Sequence, residues 1–214
     1  MALQIIKNMI KRTFLYDIIL QIWWRREVQC WQKKGKPVPP PHLVKQRTVK
    51  EYARKFSIRT LVETGTYHGD MINATKNIFS KIFSVELDRT LYEQAKKKFA
   101  KFAHISIIQG NSSEVLPYIL VEITQPCLFW LDAHYSGGVT AKSDIETPIM
   151  RELQLIFAHA LGEQVILIDD ARLFVGQNDY PTLEELRNFV FERRPGYVVE
   201  VENDIVRVHK KSAT

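Results

Sequence analysis

The amino-acid sequence predicts an α/β protein built around a doubly wound, mostly parallel sheet of seven strands. Two observations carry this prediction. Short apolar runs of strand length alternate with stretches whose apolar residues recur at helical spacing, the pattern of parallel strands joined by helices. Near the C-terminus, two apolar runs flank Glu202-Asn203-Asp204 and predict an antiparallel hairpin.

The predicted elements can be placed in order along the chain. Strands are expected at residues 60–63, 82–86, 104–108, 127–132 and 164–169, and the hairpin at residues 197–201 and 205–208. Helices are expected at residues 70–79, 91–99, 113–121, 147–159 and 183–191. This order predicts a Rossmann-like sheet with helices on both faces, in which ligands bind outside the carboxyl ends of the strands.

Residues 1–41 are predicted to form a basic amphipathic helical appendage with a proline-rich connector, and residues 42–214 the main domain. Residues 2–33 carry apolar side chains at helical spacing between Lys and Arg. One interpretation is an interfacial helix whose Trp23, Trp24 and Trp31 lie in an anionic headgroup layer. The other is a helix that packs on the domain or in a homodimer. The apolar stretch is interrupted by Asp17 and is too short to cross a bilayer.

Charge and cysteine usage narrow the class of protein. The net charge is +6, but residues 1–55 hold 13 basic and 3 acidic residues, against 17 basic and 21 acidic in the remainder. A basic groove through the main domain, and with it a nucleic-acid substrate, is therefore not expected. The two cysteines, Cys30 and Cys127, belong to no metal-binding spacing, and no secretory cleavage signal is recognisable. These features predict a cytoplasmic location, with membrane contact restricted to a peripheral one.

A glycine-containing turn follows the first predicted strand. In the segment from Glu63 to Gly69, Gly65 permits close backbone approach by a ligand and Gly69 permits close packing of the following helix. The alternative is an ordinary turn from strand to helix. About 20 residues further, Glu86 ends the second strand, where a carboxylate can accept both hydroxyls of a ribose; a solvated strand end is the alternative.

The segment after the third predicted strand contains Gln109, Gly110, Asn111 and Ser112. Its short polar side chains are placed to meet the edge of an adenine. The alternative is a helix N-cap formed by Ser112 or Ser113.

These motifs together resemble the class I S-adenosylmethionine-dependent methyltransferases. The likeness covers about residues 56–172 and is greatest to the metal-dependent O-methyltransferases of the catechol and caffeoyl-CoA type and to macrolide sugar O-methyltransferases. It implies that the methionine end of S-adenosylmethionine lies on the turn, with Glu86 holding the ribose and Asn111 and Ser112 near the adenine. The turn residues concerned are Glu63, Gly65, Thr66, Tyr67 and Gly69.

Three carboxylates follow two predicted strands and form a candidate metal site. Asp132 ends the fourth strand, and Asp169 and Asp170 end the fifth. A few carboxylates with water and substrate oxygens suit Mg²⁺, and the similar enzymes bind a divalent metal at these two strand ends. The alternatives are that Asp132 contacts the amino group of the cofactor and that Asp169 and Asp170 cap the following loop.

The sequence departs from the catechol-type pattern where those enzymes carry a lysine base. His134 is the first candidate base, because its ordinary pKa suits proton removal near neutrality, and Lys142 on a Gly-Gly loop is the second. Arg172 is placed either to bind an anionic substrate group or to form a surface ion pair.

The predicted activity is methyl transfer from S-adenosylmethionine to a hydroxyl of a small molecule or glycan, with Mg²⁺ assistance. Two other classes share the fold prediction: an NAD-dependent oxidoreductase and a non-catalytic binding module. The sequence lacks a full GxGxxG motif, which favours the methyltransferase.

Overall fold

The computed structural model describes residues 14–132, 147–159 and 163–211, with the backbone alone for residues 14–21. The helices are α1 (Phe14–Lys33), α2 (His42–Lys55), α3 (Asp70–Thr75), α4 (Arg89–Phe99), α5 (Ser112–Val121), α6 (Ile149–Ala158) and α7 (Leu183–Arg193). The strands are β1 (Thr60–Thr64), β2 (Lys81–Glu86), β3 (Ile105–Gln109), β4 (Leu128–Leu131), β5 (Val165–Ile168), β6 (Tyr197–Glu202) and β7 (Ile205–Lys210).

The seven strands form one sheet in the order β3-β2-β1-β4-β5-β7-β6. The first five strands are parallel, while β7 pairs antiparallel with both β5 and β6. The predicted sheet and terminal hairpin are confirmed. Strand order reverses between β1 and β4, and this is the position at which a doubly wound sheet opens a crevice for ligands.

Successive residues of each central strand face opposite layers, because side chains alternate along a strand. Val62 and Phe129 join the core formed with α5, α6 and α7. Leu61 and Trp130 join the second core, formed with α2, α3 and α4. Both faces of the sheet are therefore buried, which explains the nearly continuous apolar runs of the strands.

Two helices differ from the sequence prediction. The helix expected at residues 70–79 ends at Thr75, after which Ile78 N donates to Thr75 O (2.8 Å) in a tight turn that places Phe79 in the core. Helix α2 was not predicted. Its few apolar residues, Val49 and Tyr52 among them, stand between lysines and arginines but are fully buried.

Helix α1 packs against α2 near the connector. Val28 and Trp31 are buried against Val44, and Trp31 Nε1 donates to Pro37 O at 2.7 Å. Trp23, more than one helical turn before Val28, is 59% exposed. The packed-helix interpretation therefore holds for the end of α1, while the side chains of residues 1–21 lie outside the described part of the chain. No helix in the described ranges combines the length and hydropathy required to span a membrane.

Candidate active site

The carboxyl ends of β1, β4 and β5 lie side by side at the crevice. Two backbone hydrogen bonds extend the strand pairing by one residue: Asp132 N donates to Thr64 O and Asp169 N donates to Leu131 O, both at 3.0 Å. They place Asp132 and Asp169 at the same level of the sheet. The strand ends predicted to meet therefore do so.

The glycine turn, residues 65–69, is held against the end of β2. Gly65 N and Thr66 N both donate to Val85 O, at 2.9 and 3.1 Å. Gly65, Tyr67 and Gly69 have positive φ angles of 90°, 47° and 70°, so the backbone reverses within a few residues. The half-exposed Tyr67 ring extends beside His68, with 3.9 Å between ring centroids.

Gly69 is required by its surroundings as well as by its backbone angle. A Cβ atom at this position would lie 2.5 Å from Cε2 of Phe99 on α4, a separation that real contacts do not reach. The group that approaches Gly69 is the Phe99 ring of α4, whereas the sequence prediction concerned close packing of the helix that follows Gly69.

Glu86 fastens the glycine turn to β2. Its Oε2 accepts a hydrogen bond from Tyr67 N (2.7 Å) and its Oε1 accepts one from Asp88 N (2.9 Å). Each carboxylate oxygen can accept more than one hydrogen bond. The carboxylate can therefore accept further hydrogen bonds while it holds the turn, and its contact with ribose hydroxyls stays a prediction.

Glu63 lies beneath the turn and is buried. Its Oε2 accepts a hydrogen bond from Ser84 Oγ at 2.5 Å, and Ser84 Oγ lies 2.6 Å from Thr66 Oγ1. Burial, with additional repulsion from Asp132 and Glu86, raises the pKa of Glu63 to about 8. Asp132 and Glu86 are therefore close enough to Glu63 to disfavour its charged form.

The segment predicted to lie near the adenine forms the N-cap of α5. Asn111 is the N-cap of α5, and its Oδ1 accepts hydrogen bonds from Ser113 N (3.0 Å) and Ser113 Oγ (2.8 Å). The assignment of the cap to Ser112 or Ser113 is therefore wrong. Ser112 is buried, and its hydroxyl approaches the carboxyl group of Glu152 on α6. Gly110 N donates to Glu86 O (2.9 Å), which brings this segment beside the end of β2.

Asp132, Asp169 and Asp170 form an acidic cluster. One carboxylate oxygen from each lies within 4.8 Å of the other two. Asp170 has a left-handed backbone conformation (φ 56°), and its N–H donates to Asp169 Oδ1 at 2.9 Å. The three residues predicted as metal ligands are thus brought together, and their oxygen donors suit a hard cation in chemistry.

A lysine ammonium group already lies in this cluster. Lys45 Nζ, from α2, donates to Asp169 Oδ2 and lies 3.7 Å from Asp170 Oδ1. Burial lowers the pKa of Lys45, but the carboxylates, Asp169 first, outweigh burial and raise it above its usual value. Burial and repulsion from Asp132 raise the pKa of Asp169, and the Lys45 ammonium opposes this rise. A divalent ion therefore fits these oxygens only if Lys45 leaves them.

Two further basic side chains border the acidic cluster. Arg172 Nη1 donates to Asp170 Oδ1 at 2.7 Å and also pairs with Asp204, so the ion-pair interpretation of Arg172 is confirmed. His42, at the start of α2, is exposed to solvent. Partial burial of its ring lowers the pKa of His42, and the negative charge of Asp70 opposes this shift.

A small cleft continues from the acidic cluster toward α6. It is lined by Leu131, Asp132, Thr147, Ile149, Glu152, Ile168, Asp169 and Tyr180. Glu152 is buried, and its Oε1 has no hydrogen-bond partner within the described part of the chain. Burial raises the pKa of Glu152 to about 7 and that of Tyr180 to about 12. Two groups of the cleft wall, Glu152 and Tyr180, are therefore shifted toward their neutral forms.

The two predicted bases, His134 and Lys142, lie outside the described residues. Lys45, His42 and Glu152 were not singled out from the sequence. For Lys45 and His42 the sequence offered no clear signal, because the helix that carries them has few apolar residues among its charges. For Glu152 it was a carboxylate on the apolar face that Ile149, Leu153 and Ile156 define on α6.

Several solved structures share this architecture at low sequence identity. The O-methyltransferase TomG from Streptomyces achromogenes, involved in tomaymycin synthesis and solved with SAM, is 15% identical, with a TM-score of 0.58 over 89% of each chain. An O-methyltransferase from Bacillus cereus solved with SAH is 12% identical, with a TM-score of 0.58 over 88% of this chain and 90% of that one. The SAH-bound methyltransferase PaMTH1 from Podospora anserina is 15% identical, with a TM-score of 0.57 over 94% and 97%.

No family model matches the sequence, and a search of curated proteins finds no match. The chain has a methyltransferase fold. The glycine turn, Glu86 and the acidic cluster occupy the crevice of that fold, at the carboxyl ends of its strands.

Proposed function

We propose that this protein transfers a methyl group from S-adenosylmethionine to a hydroxyl of a small molecule or a glycan. The observation that carries the proposal is the convergence of Glu86, the glycine turn and Asp132 at one edge of the sheet. Glu86 would accept the ribose hydroxyls, and the exposed backbone of the turn would face the methionine end. Carboxylates around the crevice favour a cationic sulfonium over the anionic diphosphate of a dinucleotide.

The reaction is a direct displacement. The acceptor oxygen forms a bond to the methyl carbon, the bond from that carbon to sulfur breaks, and S-adenosylhomocysteine leaves with the electron pair. The hydroxyl proton passes to a base, for which His134 and Lys142 stay the predictions. The protein contributes mainly by holding donor and acceptor in line.

The proposals on acceptor and metal rest on the cleft beside the acidic cluster. Its polar wall of Asp132, Glu152 and Tyr180 suits a hydroxylated acceptor. Mg²⁺ assistance stays a prediction, and the contact of Lys45 with Asp169 argues against it. No step above is assigned to a metal.

Calorimetric titration with S-adenosylhomocysteine tests the cofactor assignment. Binding is expected for the wild type and is expected to weaken by about tenfold or more in Glu86→Ala, because two ribose hydrogen bonds are lost. Glu192→Ala, which removes an exposed carboxylate on α7, is the matched control. Absence of heat with S-adenosylhomocysteine, with or without Mg²⁺, would refute the proposal, and binding of NADH instead would favour the oxidoreductase.

We also propose that residues 1–41 form an appendage that attaches the catalytic domain, residues 42–214, to a membrane surface. Exposed Ile22 and Trp23 lie beside Arg25 and Arg26 on α1, a composition that suits an anionic membrane surface in the cytoplasm. Vesicle flotation of wild type against Trp23→Ala, with and without anionic lipid, tests this. Equal recovery of both proteins with anionic vesicles would refute it, and a change in oligomeric state would instead indicate a homodimer.

A further inference from the structure

We infer that Lys45 is the resident cation of the acidic cluster, so that its ammonium group occupies the place that a divalent metal would take among these carboxylate oxygens. The inference rests on the proposed function for its catalytic meaning. Its structural basis is the position of Nζ, which bonds Asp169 and lies 3.7 Å from Asp170.

The geometry sets lysine and metal in competition for the same oxygens. The three carboxylate oxygens of the acidic cluster lie within 4.8 Å of one another, and Asp169 Oδ2 is the acceptor for Lys45. A Mg²⁺ ion would bind such oxygens at about 2.1 Å, which would place it within a few ångströms of the ammonium nitrogen. Two cations at that separation repel strongly in a buried site, so only one of them occupies it.

Lys45 is held in place by the helix that carries it. Val49 and Tyr52 of α2 are buried in the core beneath the sheet, and Val44 packs against α1. The lysine side chain itself is only 15% exposed. Moving the ammonium group away from the cluster would therefore require the side chain to leave its buried path or α2 to shift.

The ammonium group also gives the site hydrogen-bond donors. It has three donors, of which one goes to Asp169 Oδ2. The other donors can hold a neutral acceptor oxygen at the mouth of the cleft next to Asp132. Lys45 is thus a positioning residue for the acceptor hydroxyl.

Mn²⁺ binding, followed by the electron paramagnetic resonance signal of the free ion, tests the inference. The wild type is expected to bind no Mn²⁺ at the acidic cluster. Lys45→Met, which keeps an unbranched apolar stem, is expected to bind it at least about tenfold more tightly than wild type, because a positive charge beside the oxygens is gone. Lys45→Met/Asp169→Asn is expected to lose that gain.

Lys50→Met is the matched control, since Lys50 lies on the same helix but has Arg47 and Arg54 as its charged neighbours. It is expected to behave as wild type. Lys45→Ala serves if Lys45→Met does not fold, as judged by circular dichroism. Mn²⁺ binding by the wild type as tight as by either Lys45 variant would overturn the inference.

The Mn²⁺-binding result for Lys45 can be distinguished from the S-adenosylhomocysteine-binding result that tests the proposed function. S-adenosylhomocysteine binding with Mn²⁺ bound tightly by the wild type would leave the methyltransferase proposal standing and remove the inference. Gain of Mn²⁺ binding in Lys45→Met without any S-adenosylhomocysteine binding would do the reverse.

Discussion

Replacement of Gly69 by alanine is predicted to destabilise the protein through two separate effects. The first is the left-handed backbone (φ 70°), which costs a residue with a Cβ roughly 1–2 kcal/mol. The second is overlap of the new Cβ with the Phe99 ring, at 2.5 Å from Cε2 and 3.0 Å from Cζ. Phe99 is 3% exposed and has little room to move, so overpacking adds about 1–3 kcal/mol.

Gly35→Ala separates the two effects. Gly35 has a similar backbone (φ 80°), but a Cβ atom at this position would have no heavy atom within 4 Å. Urea unfolding followed by circular dichroism should therefore show a loss of about 2–5 kcal/mol for Gly69→Ala and about 1–2 kcal/mol for Gly35→Ala. In addition, Phe99→Leu combined with Gly69→Ala should cost less than the sum of the single changes. Equal losses at the two glycines would refute the overlap argument.

Three further predictions concern buried groups and a cap. Glu63 and Glu152 have pKa values raised to about 8 and about 7, so their contribution to stability falls as pH rises from about 4.5 through those values. Glu63→Gln and Glu152→Gln should therefore stabilise the fold more at pH 9 than at pH 5 in urea unfolding, by at most about 5 kcal/mol for Glu63; no pH dependence of the gain would contradict this. Cys127 is buried and its thiol pKa is raised, whereas Cys30 is exposed. An aromatic disulfide reagent should therefore react with one thiol in the native protein and with two in urea. Rapid reaction of two thiols in the native protein would contradict this prediction. Thr182→Ala removes the capping box of α7 and should cost about 1 kcal/mol in the same unfolding assay, with Thr182→Ser as the control that retains it.

The sheet was predictable because its signal is local. Each central strand is a short apolar run, and the residue that follows β4 or β5 is a carboxylate that a parallel sheet brings to the same edge. The sequence alone therefore predicts that Asp132 lies close to Asp169, and that the glycine turn lies close to Glu86. Sequence order alone predicts which residues share this edge, since parallel strands all point the same way.

The missed residues depend on contacts that are distant along the chain. Lys45 reaches Asp169 across 124 positions, and α2 carries too few apolar residues for its periodicity to be recognised among its charges. Glu152 interrupts the apolar face of α6, and only the tertiary structure shows that it is buried against Ser112. The helix end at Thr75 was misplaced because Phe79 keeps helical spacing although the backbone has already turned.

A crystal structure of the protein with S-adenosylhomocysteine tests the central claim most directly, that one crevice of acidic strand ends and a glycine turn holds the methyl donor. Difference density is predicted with both ribose hydroxyls on the Glu86 carboxylate and the sulfur atom on the side of Asp132. Density for the ligand at another surface, with the Glu86 oxygens still bound only by Tyr67 N and Asp88 N, would contradict the account.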